Sequence, residues 1–119
     1  MKELYHATFE PLLGKIKAEG LGGSSSKRLW TDSKRGVVYL ALDPIVAESY
    51  AEVAFMENES IPESWEDKII ILVIDSAKLD KTKLVTDLNV LDNDGDTLEY
   101  HGVIPFSSVT RIAKGSDFY

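Results

Sequence analysis

The sequence predicts an α+β fold, with its helices early in the chain and most of its sheet late. Three observations lead there. Twice in the first half, a short run of β-formers is followed by a stretch of helical periodicity. From Ile69 onward the chain carries strand-like runs separated by turn residues, and no helical period returns. No internal repeat or linker divides the 119 residues, so 1–119 read as one domain around one core.

"LYHAT" (4–8) is a short strand of β-formers. "FEPLLGKIKAEGLGG" (9–23) follows as a helix. Leu12, Leu13, Ile16 and Leu21 keep a roughly helical spacing, Pro11 suits the first turn and Gly20 the C-terminal stop. Residues 24–35 form a loop with a serine run and four cations, Lys27, Arg28, Lys34 and Arg35. "GVVYLAL" (36–42) is the second strand. "DPIVAESYAEVAFMEN" (43–58) is the second helix, with Asp43 as N-cap and Pro44 at its first position. Ile45, Ala47, Ser49, Tyr50, Val53 and Ala54 are expected to share its packed surface.

"ESIPESWEDK" (59–68) is an acidic loop. "IIILVID" (69–75) is apolar almost throughout, as a central strand covered on both faces must be. "LDNDGD" (91–96) has part of a calcium-loop pattern but not its full ligand spacing or a closing glutamate, so it reads as a hairpin turn on Asp94-Gly95. "LEYHGVIPFSSVTRIA" (98–113) supplies one or two more strands, broken at Pro105. Trp30 and Trp65 fall in loops and are candidates for a contact surface.

A formal net charge of −7 argues against broad nucleic-acid binding, because phosphate backbones repel such a surface. A small anion needs only a local basic patch, which the 24–35 loop offers; the same loop also reads as an ordinary solvated one. With no cysteine there is no disulfide framework and no thiolate chemistry. No apolar run approaches the roughly 20 residues of a membrane span, and the N-terminus lacks a signal-peptide layout, so a cytoplasmic protein without membrane contact is expected. Nothing has metal-ligand spacing, and no metal is expected. GxSxG, GxxxxGK[ST] and HExxH are all missing.

The residues left for chemistry are few. His6 and His101 are the two histidines. Taken singly, His6 reads as a structural histidine, Tyr39 as a core aromatic and Glu99 as a solvated carboxylate. Their order is more informative: "YHAT", then "GVVYLA" and "AESYA", and finally "LEYHGVIP". This series resembles the diphtheria-toxin-type branch of the ADP-ribosyltransferases, which includes the poly(ADP-ribose) polymerase catalytic domains.

The resemblance implies a compact ADP-ribosyltransferase-like fold, with two early helices against a mostly antiparallel split sheet. It implies a His-Tyr-Glu triad of His6, Tyr39 and Glu99 on three strands, and NAD as substrate. His6 would hold the ribose beside the nicotinamide, the backbone N–H and C=O of Ala7 would bind the carboxamide, and Thr8 would be a further cofactor-binding residue. Tyr39 and Tyr50 would clasp the nicotinamide between two aromatic faces. Glu99 would hydrogen-bond a ribose hydroxyl and steady the positive charge that forms as nicotinamide leaves. Arg28 or Arg35 would meet the pyrophosphate. Ala7 stands where the family usually has glycine, and Ala47 where polymerase-like members often have a serine on the carboxamide.

Three functions from this resemblance stay open: mono-ADP-ribosyl transfer to an acceptor such as a protein, RNA 2′-phosphotransfer, and nucleotide binding without turnover. The phosphotransferase reading calls for several arginines, and the chain has Arg28, Arg35 and Arg111. If Glu99 points away from the cleft, Tyr100 or His101 takes the third position.

Overall fold

The computed structural model describes residues 3–22, 37–57, 59, 61–86 and 97–118. The basic residues Lys27, Arg28, Lys34 and Arg35, Trp30 and the Asp94-Gly95 turn lie outside the described residues.

Strand β3 (Ile69–Asp75) is the sheet's apolar spine. Its branched side chains favour extended backbone, and everything from Ile70 to Asp75 is buried, as a strand covered on both faces requires. β1 (Glu3–Phe9) lies antiparallel to it through seven successive pairs, from Glu3 opposite Asp75 to Phe9 opposite Ile69. With β2 (Val37–Ala41), β4 (Leu84–Thr86), β5 (Thr97–His101) and β6 (Val109–Ala113), these form one antiparallel sheet in the order β4-β5-β2-β1-β3-β6.

The two faces follow from strand alternation. On one, Leu4, Val38, Leu40, Ile70, Leu72, Ile74 and Tyr100 form the main core beneath Ile16 of α1 (Leu13–Glu19) and Leu21. On the other, Phe9 packs with Ala51 of α2 (Pro44–Glu57) and with Ile61.

α1 is shorter than the sequence pattern suggests. Phe9 stays in the β1 ladder, residues Glu10–Leu12 form a 3-10 turn, and only then does the α-helix begin. Its end is as expected: Gly20 has φ 79°, a conformation that costs other residues a Cβ clash. Leu21 then leaves the helix to exchange two backbone hydrogen bonds with Ile104, at 2.8 and 2.9 Å.

α2 begins as expected, with the Asp43 carboxylate accepting from the Ile45 N–H at 2.8 Å. Its buried face is narrower than the expected set: Ala47, Ala51 and Ala54 are buried, while Ser49 and Val53 are exposed. Positions i, i+4 and i+7 make one stripe, and three alanines there let the helix lie close to the sheet. Trp65 is not a free contact surface. It packs on Phe9, ring centroids 5.7 Å apart, inside the smaller core.

No helix among the described residues is long and apolar enough to cross a membrane.

Candidate functional site

The sheet is not evenly knit. β1 meets β2 at a single pair, Tyr5 opposite Ala41, against the seven pairs it makes with β3. Beyond that pair the β1/β2 seam opens, and His6 spans it. Its Nδ1 lies 2.8 Å from the Tyr39 carbonyl oxygen. A carbonyl only accepts, so Nδ1 carries the proton and donates. Loss of water around the ring pushes the His6 pKa below its ordinary 6.5, outweighing the upward pull of the Tyr39 carbonyl. The ring is therefore neutral at pH 7, with a lone pair on Nε2 able to accept from a hydroxyl.

Tyr39 and Glu99 are directly paired across β2 and β5, so their side chains share a face. Alternation along β1 and β2 puts that face on the α2 side, where Ala7 packs against the Phe9 cluster. Tyr39 and Tyr50 are both half-buried, one on β2 and the other on the helix covering this side.

Glu99 is 2% exposed, and its Oε1 lies 3.1 Å from Nε2 of His101. Tyr100 points the other way into the main core, where its hydroxyl accepts from the Asp80 N–H at 3.2 Å. Glu99 thus shares a face with Tyr39 and with His101, but by strand alternation not with His6.

His6 and Thr8 need a distinction. By strand alternation they belong with Leu4 on the main-core face, opposite to Tyr39 and Glu99. His6 reaches the site's edge through the seam, by way of the Tyr39 carbonyl, and not from the shared face. Thr8 is buried. Ala47 is buried, and the neighbouring Ser49 does not replace a carboxamide-binding hydroxyl there: it is exposed and donates to the Val46 carbonyl at 2.7 Å. Arg111 is on β6, its guanidinium 5.3 Å from the Phe118 ring centroid, and is used in C-terminal packing.

In the sequence, His101 stands out only as an alternative to Glu99. The signal that identifies it as a partner is the i, i+2 spacing on a strand, which puts both residues on one face.

A groove of 510 Å3 lies elsewhere, between α2 and the C-terminal turn, and its lining includes Glu48, Glu52, Glu66, Asp67 and Lys114. Four carboxylates against one lysine make it unsuited to a pyrophosphate. Among the described residues no group of three or more His, Asp or Glu converges as a metal site.

Compared with known proteins, the chain matches no protein-family model, and no curated protein matches it significantly in sequence.

Proposed function

We propose that the chain is a small NAD-dependent mono-ADP-ribosyltransferase whose site lies at the opening between β1 and β2. The observation that carries this is the opening itself, with a neutral histidine at its edge and a paired tyrosine and glutamate on the adjoining strands. His6, Tyr39 and Glu99 occupy three different strands, in the chain order of the family that the sequence resembles.

The chemistry follows from these groups. The β1 amides that face β2 past Tyr5 are outside a ladder and suit a flat carboxamide, since exposed backbone polar groups seek partners. Tyr39 and Tyr50 offer faces to an electron-poor cationic ring. Nε2 of His6 accepts from a ribose hydroxyl. When the ribose–nicotinamide C–N bond breaks, its electron pair leaves on the ring nitrogen and neutralises it. Positive charge then builds on the ribose carbon, where the Glu99 carboxylate stabilises it more than in the ground state. A lone pair of the acceptor, or of water, closes on that carbon, and the acceptor's proton passes to solvent. Because Glu99 is 2% exposed, the ribose must replace groups that now cover it.

That burial favours a second reading, a module that binds NAD or ADP-ribose without turnover and uses Glu99 as a structural carboxylate. The RNA 2′-phosphotransferase reading is weaker, because Arg111 stacks on Phe118.

Nicotinamide release from NAD by purified protein separates these. Release by the wild type, lost at least 100-fold in Glu99→Gln and Tyr39→Ala, is expected of the transferase. Binding without release, in the presence of candidate protein acceptors, supports the module. No binding of NAD or ADP-ribose removes both.

A further inference from the structure

The Glu99–His101 pair carries a role that the triad does not include. Two residues apart on β5, they share one face, and Nε2 of His101 is 3.1 Å from Oε1 of Glu99. A carboxylate oxygen accepts, so Nε2 carries a hydrogen and donates. Glu99 is 2% exposed and His101 44%. One member is thus held away from water and the other reaches it. Lys83, before β4, reaches toward Tyr100: its Nζ lies 3.5 Å and the Tyr100 ring 3.4 Å from where a side chain on Gly102 would begin.

We infer that His101 is the positioning residue for Glu99 in nicotinamide release. This rests on the transferase reading above. The Nε2–H of His101 fixes one carboxylate oxygen of Glu99 and so sets the direction from which the carboxylate meets the ribose. A carboxylate already held in that direction stabilises the positive charge as it develops, with no reorganisation at the moment of reaction.

The test is steady-state nicotinamide release at pH 8 by wild type, His101→Gln, His101→Ala and Glu99→Gln, with thermal melts of each. The exposure of His101 makes its substitutions compatible with folding. Glutamine keeps an N–H donor and is expected to retain release within about threefold of the wild type. Alanine is expected to lower kcat about tenfold or more with KM for NAD little changed, since the lost orientation matters only in the transition state. If Glu99→Gln abolishes release while His101→Ala keeps the wild-type kcat, this inference is overturned and the transferase reading stands. If the wild type neither binds nor cleaves NAD, the transferase reading is overturned and His101 with it.

Discussion

On one side of β1, seven successive residues pair with β3, and the side chains between them are largely isoleucine, leucine and valine, buried on both faces. On the other side, pairing with β2 is confined to Tyr5 and Ala41, and a histidine side chain substitutes for the next rungs. The same strand thus has a closed apolar seam and an open polar one. Strand pairing and burial reinforce each other in the first. In the second, backbone and side-chain polar groups are left where a ligand can use them. The halves flanking the open seam remain tied elsewhere, because Leu21 after α1 and Ile104 after β5 exchange two hydrogen bonds.

The contrast breaks if the closed seam proves dispensable. Leu72→Ala removes a fully buried side chain from β3 and is expected to cost about 2–5 kcal/mol, measured by urea unfolding. Next in size is the tie. A Cβ at Gly20 would lie 2.6 Å from the Ile104 carbonyl oxygen, on a backbone with φ 79°. Gly20→Ala is expected to lose about 1–3 kcal/mol, with faster amide exchange at Leu21 and Ile104. His6→Ala, at the open seam, removes one hydrogen bond and is expected to cost only about 0.5–1.5 kcal/mol while weakening NAD binding. A loss as large as that of Leu72→Ala would make His6 a structural residue.

The smallest effect is on pH dependence. The folded-state pKa of His6 is depressed, so the unfolded chain takes up its proton first as pH falls. The contribution of His6 is complete above pH 6.5 and is lost as pH falls toward its folded-state value. His6→Asn, which cannot titrate, is expected to show a shallower decline in stability between pH 6.5 and pH 5 than the wild type, read from melts at constant ionic strength.

Much of the fold was legible from residue order. The isoleucine run could only be a buried strand, and Asp43-Pro44 marked a helix start that the Ile45 hydrogen bond realises. The cores were harder to read. Phe9 and Trp65 look like residues at a helix start and in a loop, but a partner distant in the chain, Ile69 opposite Phe9, makes them a cluster. Of the candidate site, Tyr39 and Glu99 were legible by order, and they fall on one face because both strands keep an undisturbed period of two. His6 was legible as a residue but not in its route, since no pattern along the chain shows that a ladder stops after one pair. His101 was hidden by adjacency to the glutamate it contacts. The basic residues Arg28 and Arg35 lie outside the described residues.

The most direct measurement is an NMR titration of NAD into isotopically labelled protein, following backbone amides and the histidine ring signals. If the open seam is the site, shifts concentrate at Ala7, Thr8, Tyr39, Tyr50 and Glu99 and at the ring of His6, while Leu72, Val73 and Ile74 in the closed seam stay still. Shifts confined to the acidic groove beside α2, or no shifts at millimolar NAD, would contradict the assignment of the β1/β2 opening as a nucleotide site.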